Sequence, residues 1–256
     1  MKIAIIGYGR MGHIVEEIAV ERGHDIVCVI DRTDSNGAGL GSEAEEERLA
    51  EMFSSDAFKS ADVAIEFSQP HAAVGNILRS FAAGVPVVCG TTGWLDSMPQ
   101  IRKMCDEGDG TLFYASNFSI GVNVFNAVSK RLAEIMNRFP GYTPSLEEVH
   151  HIHKLDHPSG TAITVAEGII ENLDRVSEWK ETENLGITEN GVLGISHRRE
   201  GEVPGIHTVV WDSSEDSITL SHSAKSRRGF ALGAVVAAEW LKGRKGFFSM
   251  NDMLGF

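Results

Sequence analysis

The chain is short of positive charge. Its 23 Lys and Arg stand against 36 Asp and Glu, a formal net charge of −13 over 256 residues. That balance excludes nucleic acid or an anionic membrane as the main partner, since both demand a basic footprint. Any small anion must then be held by a local cluster of cations and backbone amides. Cysteine is scarce as well. Cys28, Cys89 and Cys105 are odd in number, and the first two sit in the apolar runs IVCVI and VPVVCG. This excludes a disulfide framework and fits buried thiols in a reducing cytoplasm. Long apolar runs are missing: nothing approaches the roughly 18 residues of a membrane span. IAIIG, near the N-terminus, is too short for a signal segment and leads straight into a glycine motif. No internal repeat or low-complexity segment breaks the chain. The expectation is a soluble cytoplasmic protein of one large domain or two modest ones.

What is present begins with alternating strand and helix. KIAIIG (2–7), DIVCVI (25–30), ADVAIEF (61–67), VPVVCG (85–90) and TLFYAS (111–116) are short apolar runs rich in β-formers. Helical patterns over MGHIVEEIAVERG and near 70–83 and 95–107 separate them. In the first helix Ile14, Ile18 and Val15 should line the buried face, with Gly23 as the stop. Strands apolar throughout and spaced by helices predict a Rossmann-type doubly wound parallel sheet, covered on both faces. The acidic SEAEEERLAEMF (42–53) reads as a solvated helix.

Gly7, Gly9 and Gly12 spell G-x-G-x-x-G, with a strand before and a helix after. Asp31 lies nineteen residues beyond Gly12, at the end of the second strand. The pattern fits a tight turn, close approach to a pyrophosphate, and phosphate at a helix N-terminus; a strand–helix turn without ligand is the alternative. Asp31 would accept from the adenosine ribose and so favour NADH. Arg32 and Arg10 offer guanidiniums to the 2′-phosphate of NADPH, so NADH or NADPH is expected. EFSQPHA and GTTGW (90–94) follow the third and fourth strands, where such a sheet presents its ligand. Small and hydroxyl residues there admit a nicotinamide ring, and they equally suit ordinary loops.

The second half changes character. A helix over VFNAVSKRLAEIMNRF, stopped by Pro140, leads into strands near 145–152, 192–199, 206–212 and 217–224, interrupted by a helix over 161–173. This predicts an α+β substrate domain on a mostly antiparallel or mixed sheet. The final helix, 229–243, is apolar nearly all round and should pack back on the first domain. The boundaries are 1–120 with 229–256 for dinucleotide binding, and 121–228 for substrate binding and oligomerisation.

EVHHIHKLDHPSGTA (148–162) is the densest run of proton-moving and anion-holding groups. His150 and His151, adjacent on a strand, point to opposite faces and cannot share an ion. His151 and His153 could, but no Cys or carboxylate cluster completes a set, so no metal is expected. His153 and His157 read as solvated or satisfied histidines. A catalytic reading explains more: a His moves a proton near neutral pH, and Lys154 supplies a cation. Ser159, Gly160 and Thr161 open a helix whose free amides suit a carboxylate.

These residues resemble the dihydrodipicolinate reductase family, through GYGRMG with Asp31-Arg32, EFSQP, GTTG, SNFSIGVN, HSAKSRRGFALGA and above all EVHHIHKLDHPSGTA. The resemblance implies NAD(P)H-dependent reduction of 4-hydroxy-tetrahydrodipicolinate, a small cyclic dicarboxylate, in lysine and diaminopimelate biosynthesis. It implies His150 as proton donor and Lys154 as second catalytic residue, with His151, Ser159, Gly160 and Thr161 on the substrate carboxylates. Gly7, Arg10, Met11, Gly12, Asp31, Arg32, Phe67, Gly90, Thr92, Ser116 and Phe118 fall along the cofactor path. It further implies domain closure over the substrate and a homotetramer joined through the substrate-domain sheets. Many relatives carry Asp where this chain has Glu66, the 34–44 segment is short and Gly-rich, and 174–191 is a long acidic linker. An amino-acid dehydrogenase would need groups to handle ammonia, and a non-catalytic NAD(P) sensor would not need the His/Lys pair.

Cofactor choice is expected to rest on Asp31 and Arg32. Arg32→Ala should weaken NADPH more than NADH, because a charge-assisted contact to the 2′-phosphate is lost. Steady-state kinetics that show equal loss for both cofactors would remove Arg32 from this role.

Overall fold

A computed structural model describes residues 1–31, 43–183 and 191–256, with 43–45 in backbone only. The chain divides into two compact units, Met1–Ser119 with Phe230–Phe256, and Ile120–Gly229.

The first unit opens with β1 (Lys2–Ile6), α1 (Arg10–Glu21), β2 (Asp25–Ile30), α2 (Glu43–Ser54), α3 (Asp56–Lys59) and β3 (Val63–Glu66). It continues through α4 (Pro70–Ala82), β4 (Val87–Cys89), a short 3₁₀ turn at Leu95–Ser97, α5 (Met98–Glu107) and β5 (Thr111–Tyr114). The second unit holds α6 (Ile120–Met136), β6 (Thr143–His150), α7 (Gly160–Ile170), β7 (Glu178–Glu181), β8 (Val192–Arg199), β9 (Ile206–Asp212) and β10 (Ser217–Ser223). α8 (Arg228–Leu241), β11 (Gly246–Phe248) and α9 (Met250–Leu254) close the chain.

The first sheet runs β11-β5-β4-β3-β1-β2, with every pairing parallel. β1 leaves to β2 on one side while β3 follows on the other, so its C-terminal end is the switch point where such sheets hold ligands. Ala4, Ile6, Ala64, Val87 and Leu112 form one buried face, against Leu49, Phe53 and Phe58 at one end and Ile77, Phe81 and Ile101 at the other. Ile3, Ile5, Val63, Ile65, Val88 and Phe113 form the other buried face. There Phe113 meets Trp240 of α8 edge-on. α8 is buried through Ala231, Gly233, Ala234, Val235, Ala237, Ala238 and Leu241. A Cβ on Gly233 would lie 1.7 Å from the Phe118 carbonyl oxygen, so only glycine allows this approach.

The second sheet is mixed, β10-β9-β6-β8-β7: β6 is antiparallel to β9 and parallel to β8. Alternate residues Leu146, Ile195, Val209 and Trp211 turn to one face and pack on Phe125 of α6 and on Val165 and Ile169 of α7. Further along the same strands this face becomes polar, with Glu148, His150, His197, Arg199 and His207. Register makes this row: Glu148 pairs with His197 on one side and His207 on the other. The chemistry thus begins where the apolar packing ends.

Several local expectations need correction. In α1 Val15 and Ile18 are buried and Ile14 is only half-buried. α6 begins at Ile120 and ends at Met136, short of Pro140. The proline disfavours helical backbone in the residue before it, and the chain tightens into i→i+3 turns at Arg138 and Phe139. Cys28 is half-buried, while Cys89 and Cys105 are buried; all three thiols are free. The supposed linker after α7 contains β7, and β11 adds an edge strand to the first sheet; each is too short to show a period. Residues 184–190 lie outside the described residues.

Candidate active site

In the first unit the loops after β1, β3 and β4 meet through glycine. Gly7 has φ +86, and a Cβ there would strike the Phe67 carbonyl oxygen at 2.1 Å. A Cβ on Gly12 would lie 2.3 Å from the Gly7 carbonyl oxygen, and one on Gly90 would enter the Phe67 ring. Gly9 differs: its Cβ would meet nothing within 4 Å, so the turn presents open backbone at the start of α1. That is the shape a pyrophosphate needs. Arg10 and Thr92 are exposed, as is Ser116, and Met11 is half-buried. Asp31 ends β2's loop side half-buried, and Arg32 lies outside the described residues.

Phe118 is 2% exposed, stacked on Phe113 and edge-on to Phe67. Its ring supports Phe67 from within the core. Beneath the loops lies Glu66, fully buried at the end of β3. It accepts from the Ser68 hydroxyl, from Asn76 Nδ2 at 3.3 Å, and from Cys89 Sγ at 3.1 Å. Burial, reinforced by the Glu66 charge, pushes the Cys89 thiol well above its ordinary range, so it stays a protonated donor. Ser68 N–H in turn donates to Thr91 Oγ1 at 2.8 Å, joining EFSQP to GTTG.

In the second unit Glu148, with no exposed surface, organises the histidine stretch. Both its oxygens accept from the Ser159 amide, at 3.1 Å each, and Oε1 lies 3.4 Å from Arg199 Nη2. Oε2 is 3.3 Å from His150 Nδ1 and 3.7 Å from His207 Nε2. Burial alone would raise this carboxyl. Hydrogen bonds from His150 and Ser159 and the charge on His150 outweigh it and hold the group at about 2. His207 is driven the other way, to about 4, first by burial and then by the His150 charge. At neutral pH the cluster is therefore an anionic Glu148 beside a neutral His207. His150, 8% exposed, packs edge-on to His207 with ring centroids 5.1 Å apart. Gly205 makes room for it, since a Cβ there would sit 3.0 Å from His150 Nε2.

Ser159 caps α7: its hydroxyl accepts from Ala162 N–H at 3.2 Å and meets His207 Nε2 at 3.1 Å. Both its amide and its hydroxyl thus have partners within the fold. Among the described residues the Gly160 and Thr161 amides, in the first turn, have no such partner. Lys154 Nζ is held by both Asp156 oxygens, at 2.7 and 2.6 Å. Arg199 fixes the intervening loop by donating to the carbonyls of Lys154, at 3.2 Å, and Asp156, at 2.8 Å. His151 is half-buried, and its ring lies 6.0 Å from that of exposed His153, which reaches Glu202 at 3.1 Å. Glu148, His207 and Arg199 were not anticipated as site residues. Glu148 opens the 148–162 motif and is legible there; the other two come from strands 50 or so residues on, where nothing local marks them.

Comparison with known proteins follows the same division. Residues 1–118 match the model "Dihydrodipicolinate reductase, N-terminus", and residues 121–254 match "Dihydrodipicolinate reductase, C-terminus". A 4-hydroxy-tetrahydrodipicolinate reductase of Christiangramia forsetii is 45% identical over 99% of this chain and 98% of its own. One from Ralstonia nicotianae is 33% identical over the full length of both chains. Among solved structures, a dipicolinate-bound dihydrodipicolinate reductase from Paenisporosarcina superposes with a TM-score of 0.75 at 22% identity, covering 99% of each chain; it supports the fold.

The two shifted groups set an acid limit. His207's folded value of about 4 lies below its ordinary 6.5, so the unfolded chain takes up the proton first. Its contribution to stability is full above pH 6.5 and is lost as pH falls toward 4. Glu148 follows the same sign one step lower, full above 4.5 and lost as pH falls through about 2. His207→Asn should therefore flatten the stability loss between pH 6.5 and 4 by on the order of 2–3 kcal/mol. Urea unfolding across that range checks it; an unchanged slope would mean His207 is not held neutral.

Proposed function

The chain belongs to the dihydrodipicolinate reductase family, and on that premise we propose that it reduces 4-hydroxy-tetrahydrodipicolinate to tetrahydrodipicolinate with a nicotinamide cofactor, in lysine and diaminopimelate biosynthesis. The observation that carries the reading at the level of residues is Glu148. One buried carboxylate stands beside the His150 ring and pins the first residue of the α7 anion site. Proton donor and carboxylate anchor are thus fixed to a common point.

The turn after β1, open at Gly9, and the loops carrying Phe67, Gly90, Thr92 and Ser116 are the residues that would hold the dinucleotide. When bound, a reduced nicotinamide supplies the hydride. Both NADH and NADPH are used, Asp31 serving the first and Arg32 the second. The remaining chemistry falls to this chain's side chains. The 4-hydroxyl leaves as water to give a conjugated C=C–C=N acceptor, and His150 delivers the proton that balances the hydride, with anionic Glu148 as counter-charge to the protonated form. Neutral His207 adds no competing positive charge and holds Ser159 in place. The Gly160 and Thr161 amides and the Lys154 ammonium receive carboxylate groups of the substrate, with His151 alongside. Lys154 meets its anion already aligned by Asp156, so binding exchanges or shares a partner and does not first have to order a free side chain.

We also propose a homotetramer. One sheet face of the second unit carries α6 and α7, while the alternate residues Glu147, Thr208 and Ser221 turn the other way, a surface able to meet a second copy. Light scattering at micromolar protein should give about four times the 27.8 kDa chain mass; a monomer mass would overturn this.

His150→Gln should lower kcat for NAD(P)H-dependent reduction by roughly 10²–10⁴-fold. The KM for NAD(P)H should hardly change, because the glycine turn is untouched. Lys154→Met should lower kcat and also weaken a dicarboxylate inhibitor, since a cation leaves the anion site. His153→Gln should do much less. If His153 proves as costly as His150, the division into donor, anchor and bystander fails.

A further inference from the structure

His157 reads from the sequence as a bystander, but the fold gives it two partners the sequence places far away. Glu181 is the last residue of β7, and His197 lies on β8; β7 and β8 run parallel, with Glu181 beside Ile195. Because His197 follows Ile195 by two residues, Glu181 and His197 share one sheet face. The loop leading into α7 brings His157 over them. Its Nδ1 lies 2.6 Å from Glu181 Oε1, and His197 Nδ1 lies 2.6 Å from the same oxygen. The two imidazoles are stacked, with centroids 4.4 Å apart and planes 15° apart. All three ligand atoms fall within 4.8 Å of one another.

As a hydrogen-bonded triad this arrangement is poorly made. One carboxylate oxygen faces two ring nitrogens, and both distances are shorter than the usual N–H···O range of about 2.7–3.2 Å. His197 Nδ1 is buried yet makes no hydrogen bond, despite its nearness to Glu181. Protonating both rings would set two cations face to face. Two neutral imidazole nitrogens and one carboxylate oxygen converging on a point are, however, the donor set that borderline divalent cations select. Bonds of about 2.0–2.2 Å to a tetrahedral ion would need donor separations near 3.3 Å. The two separations from Glu181 must open by roughly 0.7 Å to reach that, and the side chains are only partly buried, 30–49% exposed. Solvent can then supply the fourth ligand.

We propose that His157, Glu181 and His197 bind one divalent transition-metal ion of the zinc class. The inference does not depend on the reductase reading. The expectation of no metal rested on the spacing of His151 and His153; this site takes one residue from the stretch and two from the sheet edge. An ion there would tie the 151–159 loop to β7 and β8 two residues before the α7 anion site. It is distinct from the buried Glu148, His150 and His207 group, which also has three potential ligands.

The test uses the untagged full-length chain, freed of metal by chelator, and titrated with Zn(II) and separately with Co(II). One ion per chain should bind, and Co(II) should develop the intense visible bands of a four-coordinate nitrogen and oxygen site. His157→Ala, His197→Ala and Glu181→Gln should each weaken binding by at least the roughly 10–100-fold that loss of an outer-shell partner costs. Zn(II) should raise the unfolding temperature of the parent chain and not of the variants. Should a variant fold poorly, the parent's Co(II) spectrum decides alone: faint six-coordinate bands, or no binding at millimolar ion, overturn the proposal. So does binding that survives all three substitutions and disappears in His207→Asn, which would place the ion at the buried group. None of these readouts requires turnover, so failure here leaves the reductase reading untouched, and failure of that reading leaves the site standing.

Discussion

The second unit depends on a buried negative charge. Burying a carboxylate is costly, several kcal/mol even after relaxation, unless hydrogen bonds and opposite charge replace the lost water. Glu148 is fully buried and recovers that cost from the Ser159 amide, the Arg199 guanidinium and the His150 ring. Each partner is thereby fixed in place. Ser159 is held as the cap of α7, which points the next amides outward. Arg199 is held where it can also take the carbonyls of Lys154 and Asp156. His150 is held against His207. Removing the charge would loosen the cap, the loop and the imidazole together, because all three answer to the same two oxygens.

The first unit repeats this device with a different partner set. Glu66, at the end of β3, is as completely buried and gathers Ser68, Asn76 and Cys89. Its donors are neutral, a hydroxyl, an amide and a thiol kept protonated by burial. In both units a glutamate near the C-terminal end of a strand converts the polar groups of two loops into one fixed surface. The fold supplies the strand ends and the glutamates hold the loops that leave them. Glycine does the complementary work in the first unit: at Gly7, Gly12 and Gly90 a side chain would collide, and at Gly9 it would occupy space left open.

The histidine stretch divides by depth as well as by chemistry. His150 is inside the sheet row, His151 half-buried, and His153 and His157 outside it. The same strand alternation that turns Glu148 and His150 inward turns Val149 to the other face. Past the end of β6 the alternation stops and Arg199 takes over, gripping the loop through its carbonyls. The position of Lys154 is therefore decided by backbone contacts to a residue on a neighbouring strand, with Asp156 as its immediate partner.

The sequence alone was enough for the strand–helix alternation, the glycine turn after β1, the change to a mixed sheet, and the quoted motif at 148–162. These are local: a period of two or 3.6, a glycine where a side chain would clash, a cap residue before a helix. The distances between distant strands were not local, and the tertiary structure alone decided them. Pairing of β6 with β8 and β9 brought His197 and His207 to either side of Glu148, from positions with no motif of their own. It joined the Ser159 cap of α7 to Glu148 and His207, and sank Phe118 into the core as support for Phe67. It also gave His157 its company of Glu181 and His197. A strand's sequence fixes which of its residues share a face; only the register with its neighbours fixes what those residues face beside them.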